Sequence, residues 1–145
     1  MSEPLHIVCP HCHTTNRVRP EDLAKAADCG SCHRALFDGH PAALGEAAFE
    51  RHIQRNQVPV LVDFWAPWCG PCRSMAPIFQ RAAEALEPRA RFVKVNVDDN
   101  QDAARRYGVQ SIPALFVFKG GQVAERQAGL SDLAVLRGWV DRLAA

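Results

Sequence analysis

The sequence predicts an α/β domain, a mixed sheet with helices on its faces, preceded by a small cysteine-rich segment with no core of its own. Three observations predict it. Strand-like and helix-like apolar periodicities alternate through the second part of the chain. Four of the six cysteines, with five of the six histidines, fall within residues 1–41. The third CxxC pair, in "WAPWCGPCRSMAP" (65–77), stands between a strand pattern and a helix pattern.

At 145 residues the chain accommodates one full domain and a small appendage. Its 48% hydrophobic content supports a real core. A net charge of +1 gives no strong field for nucleic acid or an anionic membrane, so neither is an expected partner. There is no apolar run of membrane-spanning length. The start, "MSEPLHIVCPHC", lacks a basic region followed by an apolar one, so a cytoplasmic location is expected. Six cysteines in that reducing compartment point to metal binding or catalysis before structural disulfides.

The predicted boundary lies in "DGHPAALG" (38–45), giving domains 1–41 and 42–145. In the second domain, "AAFERHIQRN" (47–56) reads as an amphipathic helix. "VPVLVDFW" (58–65) is a continuous apolar run with one acid, a strand buried on both faces. Residues 70–86 read as a helix, with Met75, Ile78, Phe79 and Leu86 at helical spacing and Pro77 as a kink. "RFVKVNV" (91–97) alternates, with Val93, Val95 and Val97 on one face and Phe92, Lys94 and Asn96 on the other. "NQDAARRYG" (100–108) is a short helix with Asn100 as cap and Gly108 as stop. "ALFVFKGGQVAERQ" (114–127) is a hairpin turning at Gly120-Gly121. "SDLAVLRGWVDRL" (131–143) is a closing helix capped by Ser131.

Cys69 falls where the strand gives way to the helix beginning near Gly70. The first amides of a helix lack internal partners, and that end of its dipole is positive. A thiolate there is stabilised and attacks disulfides at neutral pH. Cys72, one turn on, can resolve the mixed disulfide. Pro71 fits the first turn, and Trp68 flanks the sulfur with a flat apolar surface. Asp63, an acid in an apolar central strand, is expected to have a raised pKa and to exchange a proton near neutrality. Lys94, on a neighbouring strand, is its candidate partner.

"VDFWAPWCGPC", followed by "SIPALFVFKGG" and "AGL", strongly resembles the thioredoxin family over residues 42–145. The resemblance implies a four- or five-stranded sheet flanked by four helices. It implies Cys69 as nucleophile, Cys72 as resolving cysteine and Asp63 as the buried acid handling its proton, with Lys94 nearby. Pro113 would be a cis-proline that exposes the Ile112 backbone to an extended substrate segment. Gly129 would line the same groove. Ala114 stands where many members carry threonine, a change expected to tune the groove. Disulfide-containing target proteins and an NADPH-dependent thioredoxin reductase are the implied partners, with no organic cofactor. The chain is expected to be a monomer.

"VCPHC" (8–12) and "DCGSC" (28–32) give C-x2-C-x16-C-x2-C, the spacing of a zinc site. Cys9, Cys12, Cys29 and Cys32 are the candidate ligands of one structural zinc ion, which would supply the folding energy this apolar-poor segment lacks. A mixed site using His11, His13 or His33, or a rubredoxin-like iron, is the alternative. With four Lys/Arg, five Asp/Glu and no aromatic but Phe37, residues 1–41 do not read as a nucleic-acid binder. The segment closely resembles the zinc-binding appendage of a branch of bacterial thioredoxins. Two functional classes follow: a general protein-disulfide reductase, or a zinc-linked redox sensor whose metal release modulates activity.

Overall fold

The structure, a computed structural model, describes residues 3–144. The amino-terminal part begins with a hairpin, β1 (Leu5–Val8) against β2 (Thr15–Val18), followed by a short helix, α1 (Pro20–Leu23). The two CxxC turns are built alike. Cys9 N–H donates to Thr14 and His13 N–H to Cys9, just as Cys29 N–H donates to Arg34 and His33 N–H to Cys29. Both histidines sit at positive φ, 64° and 65°. The ribbon's apolar cluster is small: Ile7, Val18 and Leu36 join Cys9 and Cys29, and Val58 of the larger domain completes it.

The larger domain runs β3 (Ala42–Ala43), α2 (Glu46–Arg55), β4 (Val60–Trp65), α3 (Gly70–Leu86), β5 (Arg91–Asn96), α4 (Gln101–Arg106), β6 (Ala114–Lys119), β7 (Gln122–Ala128) and α5 (Leu133–Leu143). The sheet order is β3-β5-β4-β6-β7, with β3, β5 and β4 parallel and β6 and β7 antiparallel. This is the mixed five-stranded sheet with four helices that the resemblance implied. The edge strand β3 escapes the sequence reading, because two residues carry no readable alternation.

The period of two along each strand sorts the core into layers. Leu61, Phe92, Leu115 and Val117 pack under α3 and α5, against Met75, Phe79, Leu136 and Val140. Val62, Phe64, Val93, Val95 and Phe116 face the other way, against Phe49 and Ile53 of α2 and Ala103 of α4. α3 continues through Pro77, and Gly120 and Gly121 turn the last hairpin at φ 61° and 81°. Two caps differ from expectation. Asp132, not Ser131, caps α5, its carboxylate accepting from Val135 N–H at 3.0 Å. Asn100 occupies the cap position of α4, but its amide donates to Asn96 O instead of closing the helix end.

The ribbon docks on the end of the sheet where β5 begins. Arg91, 1% exposed, donates to the carbonyl oxygens of Val8 (2.9 Å) and Leu36 (2.7 Å), one from each half of the ribbon. Its guanidinium lies 4.2 Å from the centre of the Phe37 ring, and Glu87 stands 3.8 Å away. Glu87 in turn accepts from Gly39 N–H at 2.8 Å. Arg91 pairs with Val60 at the start of β4, whereas Trp65, which leads to Cys69, pairs with Asn96 at the other end of β5. The two CxxC chemistries therefore lie at opposite ends of strands about 20 Å long.

Candidate active site and metal centre

Cys69 and Cys72 are joined by a disulfide across the first turn of α3, with their Cα atoms 5.2 Å apart. Cys69 is the N-cap residue, and the Cys72 N–H donates to its sulfur at 3.2 Å. The lone pairs of a sulfur at this position meet a helix amide, the geometry that stabilises a thiolate. Gly70 and Pro71 form the exposed first turn. Trp68 is 67% exposed, and its indole N–H donates to the Asp98 carboxylate at 3.0 Å.

The Ile112–Pro113 peptide bond is cis, as is Glu87–Pro88, which sequence reasoning missed. The Ile112 carbonyl oxygen lies 3.7 Å from Cys69 Sγ. Gly129 N–H donates to Pro113 O at 2.8 Å and has φ +90°. A Cβ there would meet no atom within 4 Å, so its backbone conformation, not crowding, favours glycine. A cleft lined by Trp68, Val97, Ala104, Val109 and Ile112 runs beside the dithiol.

Asp63 is fully buried in β4, and neither carboxylate oxygen has a hydrogen-bond partner among the described residues. Burial pushes its pKa up to about 6, against the opposing pull of Lys94. Lys94 is Asp63's register partner on β5, but its ammonium lies over the Trp65 ring, 4.6 Å from the centroid. The two form no ion pair within 4.0 Å among the described residues. Alternation puts Asp63 with Leu61 on the face covered by α3, the helix that carries Cys72.

The sulfur atoms of Cys9, Cys12, Cys29 and Cys32 all lie within 4.8 Å of one another. The cross-knuckle pairs Cys9–Cys32 and Cys12–Cys29 are each 3.6 Å apart. A tetrahedron with Zn–S bonds of about 2.3 Å has edges of about 3.8 Å, so the cluster fits a zinc ion. Among the described residues, no histidine joins the group. Burial pushes the Cys9 thiol up to about 11, whereas the Cys32 amide and then Asn16 pull Cys29 down to about 6.

Sequence reasoning missed a second set of polar residues, those that seat the ribbon. His52, buried on α2, accepts at Nδ1 from the Asn56 amide (3.1 Å), since Asn56 Oδ1 is taken by Val8 N–H (2.8 Å). Burial, with Arg91 adding to it, pushes the His52 pKa down to about 3. The neutral ring therefore carries its proton on Nε2, which faces His13 Nδ1 at 3.3 Å. His13 is thus half-buried at the seam, while His11 and His33 are exposed. A signal was present: His52 and Asn56 share a helix face with Phe49 and Ile53, polar groups on an apolar stripe.

The family model described as thioredoxin matches residues 40–142. The chain belongs to the thioredoxin family. A second model, described as thioredoxin 2, N-terminal, matches residues 8–34, so this member also carries the zinc-ribbon domain. The chain is 38% identical over 136 residues to thioredoxin C-3 of Corynebacterium nephridii, covering 94% of this chain and 93% of that one. It is 42% identical over 101 residues to thioredoxin 1 of Synechococcus elongatus, covering 70% of this chain and 94% of the relative. Among solved structures, a mutant thioredoxin from Halobacterium salinarum superposes with a TM-score of 0.68 at 32% identity, over 75% of this chain and 95% of that one. This thioredoxin is a protein-disulfide oxidoreductase of the family's reducing type. No helix among its described residues is long and apolar enough to cross a membrane.

Proposed function

We propose that the chain is a cytoplasmic protein-disulfide reductase whose working groups are Cys69 and Cys72, with residues 1–41 a zinc-stapled ribbon and residues 42–145 the catalytic domain. The observation that carries this reading is the Cys72 N–H aimed at Cys69 Sγ from 3.2 Å at the head of α3. In the dithiol form, the Cys69 thiolate attacks one sulfur of a target disulfide, and the other leaves as a thiolate and takes up a proton. Cys72 then gives up its proton, with Asp63 as acceptor, and attacks Cys69 Sγ. The target departs as a dithiol, and the chain keeps the disulfide. An NADPH-dependent thioredoxin reductase would return two electrons to it.

Ile112 and Pro113 would present backbone to an extended target segment, with Trp68, Gly70 and Pro71 on one side and Gly129 on the other. Lys94 would moderate the charge of Asp63. Cys9, Cys12, Cys29 and Cys32 would hold one zinc ion, whose role is to fold the ribbon. The test is insulin-disulfide reduction coupled to NADPH oxidation, with metal content measured on the same sample. Cys69→Ser should abolish turnover, and Cys72→Ser should accumulate mixed disulfides. Turnover retained by Cys69→Ser would overturn the assignment.

A further inference from the structure

We propose that the four-sulfur cluster has one open ligand, Cys12, and that this sulfur is where electrophiles attack the loaded metal centre. The inference rests on the zinc reading above and concerns how the four ligands differ. Three of them are wrapped by the ribbon's apolar cluster. Cys9 is 0% and Cys29 1% exposed, and Cys32 packs half-buried against the same Ile7, Val18 and Leu36. Cys12 is exposed and belongs to no apolar cluster among the described residues.

The hydrogen bonds set the two most deeply buried sulfurs, Cys9 and Cys29, apart from the other two. Cys9 Sγ accepts from His11 N–H at 3.3 Å. Cys29 Sγ accepts from Ser31 N–H at 3.4 Å and from the Asn16 amide at 3.5 Å. The Asn16 amide is fixed in that sense because its Oδ1 takes Gly30 N–H at 2.9 Å. Cys12 Sγ has the Thr14 hydroxyl at 3.3 Å besides its partner sulfur, and Cys32 Sγ has its partner sulfur, Cys9, at 3.6 Å. Each N–H draws electron density from a metal-bound thiolate and lowers its nucleophilicity. Exposure therefore decides between Cys12 and Cys32, and it gives Cys12 the freest approach of the four.

With iodoacetamide as the probe, a Cys12 lone pair forms an S–C bond to the reagent's methylene, and the C–I bond breaks to release iodide. The neutral thioether is a poor ligand, so the ion is left on three thiolates and is lost to a chelator. The full chain is loaded with zinc, kept with Cys69–Cys72 oxidised, and its metal content is measured first. It is then treated with less than one equivalent of iodoacetamide beside a chromogenic zinc chelator, and the labelled peptides are mapped by mass. Cys12 should label about tenfold ahead of each other ligand, with one zinc released per labelled chain. Labelling spread evenly, or led by Cys9, Cys29 or Cys32, overturns the inference while the measured zinc leaves the metal assignment standing. A chain that takes up no zinc removes both.

Discussion

Arg91, the first residue of β5, donates to the carbonyl oxygen of Leu36 at 2.7 Å and thereby holds the ribbon from inside the catalytic domain. The guanidinium is out of reach of solvent, and Glu87 is the carboxylate beside it, 3.8 Å away. Removing one member of a buried charge pair leaves the other unpaired, at about 3–5 kcal/mol. Arg91→Met should therefore destabilise the zinc-loaded protein by about that amount. Adding Glu87→Gln should recover part of the loss. Urea unfolding of the two single variants and the double variant measures the coupling. Strictly additive losses would contradict the buried pair.

Asp63 gives a pH dependence with a defined sign. Its folded pKa is raised from 3.8 to about 6, so ionisation opposes folding. Below about pH 4 the group is protonated in both states and has no effect. As pH rises to about 6, the unfolded chain ionises first and stability falls; above that the deficit is constant, about 3 kcal/mol for a shift of about two units. Asp63→Asn should thus stabilise the oxidised protein at pH 7 by up to about 3 kcal/mol, with the gain vanishing toward pH 4. Denaturant unfolding from pH 4 to 8 checks this. Turnover should fall in the same variant, by about tenfold or more, because the Cys72 proton loses its acceptor.

His13 and His33 share a left-handed backbone but not a role. A side chain in that conformation costs about 1 kcal/mol relative to glycine. His33 is exposed, so His33→Gly should stabilise the loaded ribbon by about 1 kcal/mol. His13→Gly gains the same relief but forfeits the 3.3 Å contact with His52, and should give no net stabilisation. Thermal melts of the two variants side by side decide the difference.

Asn16 joins β2 to the second knuckle through Gly30 N–H and Cys29 Sγ. Asn16→Ala should speed zinc transfer to a chelator by about tenfold while leaving disulfide reduction by Cys69 and Cys72 unchanged. An unaltered transfer rate would remove Asn16 from the metal centre.

The local part of this structure was legible because its signals are local. The WCGPC turn needs only the strand before it and the helix after it, and both have clear periods. The cysteine spacing brings the ribbon's four sulfurs within reach of one ion without any knowledge of the rest. The seam between the domains was not legible. Arg91 is in phase with Val93 and Val95, so a cation on that strand face was visible, but its acceptors lie 55 and 83 residues away. Nothing in "RFVKVNV" names Val8 or Leu36. The Asp63–Lys94 pairing was legible as register but not as geometry, since Lys94 turns onto Trp65. Ser131 looked like a helix cap because it opens the run, yet the neighbouring Asp132 competes for the same amides and takes Val135 N–H.

The ribbon sits where β4 and β5 start, and Cys69 follows where they finish. A target segment docked as proposed on Trp68 and the Ile112 backbone would lie at the far end of these strands from the ribbon sulfurs. On the proposed roles, the six cysteines of one chain would be insulated as two circuits, with the dithiol at one end of the strands and the ribbon sulfurs at the other. Such a layout lets an ion-binding module be carried by a redox carrier without short-circuiting it.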